Sequence, residues 1–143
     1  MTILAWNGEL EMGWRLFLDD DADGDRRPEI TVDNPRWRVR MGLPSVPPET
    51  LHLGPWRIAR SFDEAVAAID KLGLPDFASF DHDLGDGKDG IAVARHMIEM
   101  DLDTGLLPEG FFFETHSGNP VGRANINGLW KSYLRRRDDS LTP

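Results

Sequence analysis

Short apolar runs, separated by longer mixed or polar segments, set the pattern of this chain. Each run has the length and the aromatic or β-branched content of a buried strand. The runs are Arg15–Leu18, Trp56–Ala59, Phe77–Phe80 and 111–115. Because the first, third and fourth are largely apolar, they predict strands of a parallel sheet that is covered on both faces.

Apolar residues at helical spacing follow the second and third runs. Ser61 and Glu64 have the spacing of a capping box, and they predict a helix that begins after Ser61 and stops at Gly73. A second helix is predicted to begin near Asp89, with residues 101–110 as the loop after it.

A third helix is predicted after the fourth run. Asn119 suits its N-cap and Pro120 its first helical position, where the fixed φ and the missing N–H of proline cost nothing. We expect this helix to end near residues 135–137, because their arginines favour the negative end of a helix. Strands that alternate with helices in this order are typical of an α/β fold with a parallel sheet.

Length and charge narrow the possible functions. The 143 residues predict one domain over 1–143, with its core at 14–134 and an insertion at 21–54 that reads as a long loop with one short turn of structure. The formal net charge of −9 disfavours non-specific binding to duplex DNA. The chain has no cysteine and no apolar run long enough to cross a membrane. We therefore expect a cytoplasmic protein that binds neither duplex DNA nor membranes; its oligomeric state is open.

Polar side chains that could bind ligands or transfer protons follow three of the four predicted strands. These groups are Asp19-Asp20, Asp81-His82-Asp83 and His116-Ser117-Gly118-Asn119. In an open parallel sheet the carboxyl ends of all strands lie on one edge, where ligands bind. If the three strands are neighbours, these groups converge on one crevice.

The aspartates of this edge predict a cation site. Asp19, Asp20 and Asp81 would repel one another unless a cation or a proton is present, and Asp83 is a further candidate ligand. A hard divalent cation suits such oxygen ligands; Mg²⁺ fits, and Mn²⁺ is the alternative. Acidic residues at strand ends also occur as solvated loop residues or helix caps, so that interpretation stays open.

Two histidines lie just past the ends of predicted strands. His82 and His116 hold matched positions in the sequence, and imidazoles there could serve as general base and general acid in phosphoester hydrolysis. The alternative is that one or both cap backbone groups or pack against the insertion. His52 and His96 lack such a placement and are interpreted as structural or exposed.

The segment before the third helix is suited to bind an anion. The backbone at Gly118 and Asn119 precedes a helix N-terminus, where free N–H groups and the helix dipole attract phosphate. Arg123, in the first turn, could add a charge-assisted contact. An ordinary capped helix start accounts for the same residues and is compatible with anion binding.

Parts of this pattern resemble response-regulator receiver domains. Residues 16–20 resemble their first strand and acidic pair, Asp81 stands at the phosphoacceptor position, and Ser117 resembles the Ser or Thr after the fourth strand. Residues 82–85 depart from that pattern, and no fifth strand with its lysine is predicted after the third helix.

The sequence is more similar to a divergent group, the cyclic-phosphate-processing receiver-like domain. The matching blocks are Asp19-Asp20 with Arg27-Pro28, Trp-x-x-Ala-Arg at 56–60, Phe-Asp-His-Asp-Leu-Gly at 80–85 and His-Ser-x-Asn-Pro-x-Gly at 116–122. The resemblance implies a flavodoxin-like three-layer sandwich of about four mostly parallel strands, truncated relative to a full receiver domain. It also implies a metal-assisted phosphoesterase that opens cyclic phosphates, on RNA 3′ ends or in cyclic nucleotides.

In that interpretation each candidate residue has a role, and two other functions remain open. Asp81 is either a metal ligand or a nucleophile, and protons move through the two histidines. The residues expected to hold phosphate oxygens are Ser117, Gly118, Asn119, Arg123 and Arg27. The first alternative is a module that binds a cyclic nucleotide or phosphate ligand without turning it over. The second is an interaction domain phosphorylated on Asp81.

Overall fold

The computed structural model describes residues 13–20, 28, 32–45, 55–84, 89–116 and 119–141. The strands are β1 (Arg15–Leu18), β2 (Trp56–Ala59), β3 (Phe77–Phe80) and β4 (Phe112–Thr115). The helices are α1 (Pro35–Arg40), α2 (Phe62–Leu72), α3 (Gly90–Thr104) and α4 (Pro120–Leu141). None of the helices in these ranges is long and apolar enough to cross a lipid bilayer.

The four strands form one parallel sheet in the order β2-β1-β3-β4. The predicted α/β fold with a parallel sheet is confirmed, and the order is that of the first four strands of a flavodoxin-like sheet. Leu18, Phe80 and Thr115 lie at the same level of their strands. The residues after them therefore meet at one edge, which we call the carboxyl edge.

Local capping signals place α2 where the sequence predicts it. The hydroxyl of Ser61 accepts a hydrogen bond from the backbone N–H of Glu64 at 3.1 Å. The carboxylate of Glu64 accepts one from the N–H of Arg60 at 3.0 Å. The helix ends at Gly73, whose φ of 84° lies in the left-handed region that favours glycine. The predicted capping box and stop are confirmed.

Two helices run further than predicted. Asp89 caps α3 as expected, but the helix continues to Thr104, so the loop prediction from residue 101 was wrong for its first four residues. The reason is that Asp101 is buried inside the last turn, where it accepts a hydrogen bond from the N–H of Leu107 at 2.9 Å. The fourth helix continues to Leu141, past the predicted end near 135–137. Finally, β4 begins one residue later than the predicted run.

The main hydrophobic core lies between one face of the sheet and helices α2, α3 and α4. Alternate residues of each strand point into it, as the period of a strand requires. Trp130 of α4 is fully buried and packs against three phenylalanines at its centre. The fully buried members of this cluster include Leu16, Leu18, Ala78, Phe80, Val93, Met97 and Ile126.

The opposite face of the sheet is covered by the insertion. Asn34 caps the short helix α1, and Arg38 of this helix is fully buried. Its guanidinium donates to both carboxylate oxygens of Glu114 on β4, at 2.8 and 2.7 Å, and to the carbonyl of Val32 at 3.0 Å. Helices on both faces confirm the predicted three layers. Most of the rest of 21–54 lies outside the described residues.

Candidate functional site

Three aspartates meet at the carboxyl edge of the sheet. Asp19 and Asp81 are buried, and their backbone N–H groups continue the strand ladder by bonding to Ala59 and Leu18. Asp20 is exposed. One carboxylate oxygen from each of the three lies within 4.8 Å of the other two. The convergence of the first and third strand ends, predicted from the chain alone, therefore occurs.

This donor set fits a hard divalent cation. Three carboxylates at this separation repel one another, and burial of two of them removes the water that would screen the repulsion. All the ligand atoms are oxygens, which suits Mg²⁺ and Mn²⁺ better than softer metals. Asp83, the fourth predicted ligand, is not part of this group: its side chain is 71% exposed.

His116 occupies a different environment from the one expected. In the strand register it is level with Asp81, so the expectation that it matches His82 was wrong. Its side chain is fully buried. The ring stacks on Phe17, with a centroid distance of 4.5 Å and an interplanar angle of 5°. Trp37 of the insertion lies on another side, at 6.4 Å between centroids.

Both nitrogens of His116 have partners. Nε2 lies 2.9 Å from Oδ2 of Asp19, and Nδ1 lies 2.7 Å from Oγ of Ser79 on β3. Because an ionised carboxylate only accepts, Nε2 must carry the proton and donate to Asp19. In the neutral ring, Nδ1 then accepts from the Ser79 hydroxyl. The imidazole is thus fixed between two strands, behind the cluster of aspartates.

His82 is the more accessible imidazole. Its side chain is 18% exposed, and Nδ1 lies 2.9 Å from Oδ1 of Asp83. Its Nε2 lies 3.8 Å from a carboxylate oxygen of Asp89. The two predicted proton carriers therefore differ. His82 is half-buried and directly follows Asp81 in the sequence, whereas His116 is fully enclosed.

Two glycines bring helices α3 and α4 against the loop after β3. A Cβ on Gly90 would lie 2.0 Å from the carbonyl oxygen of Asp81, and one on Gly122 would lie 2.3 Å from Cγ of His82. A side chain at Gly90 would push α3 away from the backbone of Asp81, and one at Gly122 would displace either α4 or the His82 side chain. The starts of both helices are thus held next to Asp81 and His82.

The start of α4 has the predicted cap. The side-chain oxygen of Asn119 accepts from the N–H of Gly122 at 3.0 Å, and Pro120 is the first helical residue. Arg123 is half-buried in the first turn. Ser117 and Gly118 lie outside the described residues.

The remaining histidines and arginine named in the sequence analysis lie either away from this site or outside the residues that the structure describes. Arg27 and His52 belong to segments of the insertion that the structure does not describe. His96 lies on α3, where its ring makes an edge contact with Phe62 at 6.2 Å. This placement agrees with the structural role expected for His96.

A family model described as the cyclic-phosphate processing receiver domain matches residues 14–132. The chain belongs to this family. A search among curated proteins finds no match.

Solved structures of response regulators are also similar to this receiver domain. PhyR from Brucella abortus is 23% identical, with a TM-score of 0.40; the match covers 96% of this chain and 56% of that one. NtrX from Brucella abortus is 18% identical, with a TM-score of 0.38; the match covers 90% of this chain and 29% of the NtrX chain. This domain thus spans about half of the PhyR chain and less than a third of NtrX. Similarity at this level says nothing about activity.

Sequence reasoning missed the residues that enclose His116. Ser79 is a polar residue in an apolar strand, two positions before Asp81 and so on the same face of the sheet. That spacing was a usable signal. Phe17 is likewise two positions before Asp19. No comparable signal marks Trp37 or Arg38, because their positions depend on how the insertion folds back over the sheet.

Proposed function

We propose that this receiver domain is a metal-assisted phosphoesterase that opens cyclic phosphates, with 2′,3′-cyclic phosphate RNA ends or cyclic nucleotides as substrates. The observation that carries the proposal is the cluster of Asp19, Asp20 and Asp81, in a chain of this family, with the half-buried imidazole of His82 directly after Asp81. The product would be a phosphomonoester.

The three aspartates would hold Mg²⁺ or Mn²⁺, and Asp81 acts as a ligand in this scheme. When bound, the cation neutralises charge that develops on the phosphate oxygens during displacement. Helix α4 begins at Pro120, shortly after β4 ends at this edge, and its N-terminus, with Asn119 and Arg123, would hold the other phosphate oxygens. Ser117, Gly118 and Arg27 remain predicted phosphate contacts from the sequence.

Proton transfer is assigned to His82. Its imidazole would take a proton from the attacking water as the new P–O bond forms. It would return that proton to the sugar oxygen as the ring P–O bond breaks. His116 is not given this role, because both of its nitrogens are engaged and its side chain is fully buried. Attack by the Asp81 carboxylate, which would form an aspartyl-phosphate, is the alternative first step.

Turnover of a substrate panel tests the proposal. The panel contains 2′,3′-cyclic and 3′,5′-cyclic nucleotides and an RNA oligonucleotide with a cyclic 3′ end, each with saturating Mg²⁺ or Mn²⁺. We expect hydrolysis of at least one, and a loss of roughly 10²- to 10⁴-fold in His82→Gln, which keeps most of the packing volume. Asp81→Asn should be at least as damaging.

A matched variant controls for general effects of losing a histidine. His96→Gln changes the same residue type on α3, away from the aspartates, and should retain turnover within about twofold of the unmodified protein. Absence of hydrolysis across the whole panel at saturating metal would rule out the phosphoesterase.

The enclosure of His116 favours a second candidate function. With one accessible imidazole in place of two, the site has fewer groups for proton transfer than an acid–base pair requires. The same site could then bind a cyclic nucleotide without turning it over, as a sensor or a sponge. Calorimetry that gives saturable binding, with the nucleotide recovered intact, would select this function; rapid product formation would exclude it.

A further inference from the structure

A continuous hydrogen-bonded connection links three strands behind the aspartate cluster. Ser79 of β3 contacts Nδ1 of His116, and Nε2 of His116 contacts Oδ2 of Asp19. All three side chains are fully buried. The connection therefore ends on a carboxylate of the cluster, not on the surface.

We propose that His116 is a positioning residue for Asp19, with Ser79 fixing the imidazole, and that this pair sets the affinity of the aspartate cluster for a divalent cation. The inference rests on the cation site of the proposed function, but it does not depend on hydrolysis. In this inference His116 does not transfer a proton to the substrate; it acts by orienting the carboxylate of Asp19.

The geometry explains how the imidazole would act. A carboxylate has two oxygens, and a donor held at Oδ2 restricts the rotation of the whole group, so it would orient the carboxylate towards a cation. The imidazole itself cannot turn, because Phe17 stacks on its face at 4.5 Å and Ser79 holds the opposite nitrogen at 2.7 Å. The direction of the Asp19 carboxylate is thus defined before a ligand arrives.

The register of the sheet gives Ser79 its part in this connection. Phe17 and Ser79 are paired across β1 and β3, and both lie two residues before a buried aspartate of the cluster. Phe17, Ser79 and the imidazole thus share one face of the sheet. The carboxylate of Asp19, which only accepts, selects the tautomer with its proton on Nε2, and the hydroxyl of Ser79 donates to Nδ1 of that tautomer.

Two amide substitutions separate this role from simple packing. The amide nitrogen of glutamine reaches about as far as Nε2, so His116→Gln keeps a donor for Asp19. The amide nitrogen of asparagine reaches only as far as Nδ1, so His116→Asn loses that donor but keeps a polar group near Ser79. Mn²⁺ binding is measured by calorimetry on the whole chain, and folding is checked by circular dichroism and thermal unfolding.

We expect His116→Asn to bind Mn²⁺ roughly 10- to 100-fold more weakly than the unmodified protein, the usual effect of removing a group that orients a ligand. His116→Gln should recover most of this loss. Ser79→Ala keeps the ring but releases its orientation, and should weaken binding roughly 2- to 10-fold. His96→Asn, the matched control, should bind as the unmodified protein does.

The outcomes separate this inference from the proposed function. If His116→Asn is folded and binds Mn²⁺ normally, the inference is wrong; if that variant does not fold, unchanged binding in Ser79→Ala has the same meaning. Weakened binding in these variants without any turnover in the unmodified protein would support the inference and reject the phosphoesterase. If the unmodified protein binds no Mn²⁺, both the cation site and the inference are wrong.

Discussion

Two buried aspartates at opposite ends of the domain show how differently the fold treats the same residue type. Because α3 begins at the carboxyl edge and runs back along the sheet, Asp101 near its end lies far from Asp19. The carboxylate of Asp101 accepts from the N–H of Leu107 at 2.9 Å and from the hydroxyl of Tyr133 at 2.5 Å. Nε of Arg137 lies 3.0 Å from the same carboxylate and neutralises its charge.

Asp19, in contrast, is grouped with two further carboxylates and an imidazole. Where the fold uses a carboxylate for its own stability, at Asp101 and at Glu114, it supplies an arginine. At the carboxyl edge three carboxylates lie close together, and their mutual repulsion costs stability unless positive charge offsets it. Asp101 and Glu114 are therefore structural carboxylates, whereas the proposed function assigns the cluster to a cation.

The largest effect on stability is expected at the structural pair between α1 and the sheet. Glu114→Gln leaves the guanidinium of Arg38 buried without its counter-charge and should cost about 3–5 kcal/mol in the free energy of unfolding. Urea denaturation followed by tryptophan fluorescence measures this loss. The double variant Arg38→Met with Glu114→Leu removes both charges, so it should recover much of the stability. A single variant as stable as the unmodified protein would show that Arg38 is solvated.

A smaller loss is expected at the other structural carboxylate. Asp101→Asn keeps an acceptor oxygen for Leu107 but replaces Oδ2, which accepts from Tyr133, with an amide NH₂ group. It also removes the charge that pairs with Arg137, whose side chain is partly exposed. We expect a loss of about 1–3 kcal/mol in the free energy of unfolding, because a hydrogen bond to a charged group is worth that much. The control is Asp103→Asn, an exposed aspartate on the same helix that should change stability little. Equal stability of the two variants would contradict the structural role of Asp101.

The same type of substitution in the cluster should change stability by an amount that depends on whether metal is present. Asp19→Asn removes one of three repelling charges, so in the presence of a chelator it should be at least as stable as the unmodified protein. With Mg²⁺ at about 100 times its dissociation constant, the unmodified protein should gain about 2.7 kcal/mol, and the variant should gain much less. Thermal unfolding with chelator and with Mg²⁺ measures both. A variant that gains as much from Mg²⁺ as the unmodified protein would remove Asp19 from the cation site.

The structural carboxylates and the aspartate cluster also differ in how well the sequence predicts them. The edge position of Asp19 and Asp81 follows from strand ends and a parallel sheet, both of which are local or topological signals. The pairing of Glu114 with Arg38 joins residues 76 positions apart and depends on how the insertion folds back. No periodicity carries that information.

The same limit explains the errors at α3 and at His116. Asp101 reads as the start of a polar loop until Tyr133 and Arg137 of α4 are brought against it. His116 reads as an open catalytic imidazole until Phe17 and Ser79 are known to enclose it. Capping signals such as Ser61 with Glu64 were reliable because they act within one turn.

The smallest expected effect is a change in titration. Burial, the hydrogen bond to Asp101 and the negative charge of Asp101 together raise the pKa of Tyr133 to about 12, from an ordinary value of 10.0. The folded state therefore holds this proton more tightly than the unfolded chain. The resulting stabilisation is fully present below pH 10 and is lost as the pH rises from about 10 to 12.

The chain has one tyrosine, so the absorbance of tyrosinate reports this group alone. Asp101→Asn removes the charge and one of the two acceptor oxygens, so it should move the titration of Tyr133 back towards its ordinary value. Asp103→Asn should leave that titration unchanged. Circular dichroism recorded over the same pH range ensures that the folded state is the one titrated. If Tyr133 of the unmodified, folded protein titrates at the ordinary value, its hydroxyl does not donate to Asp101. The structural role of Asp101 would then rest on Leu107 and Arg137 alone.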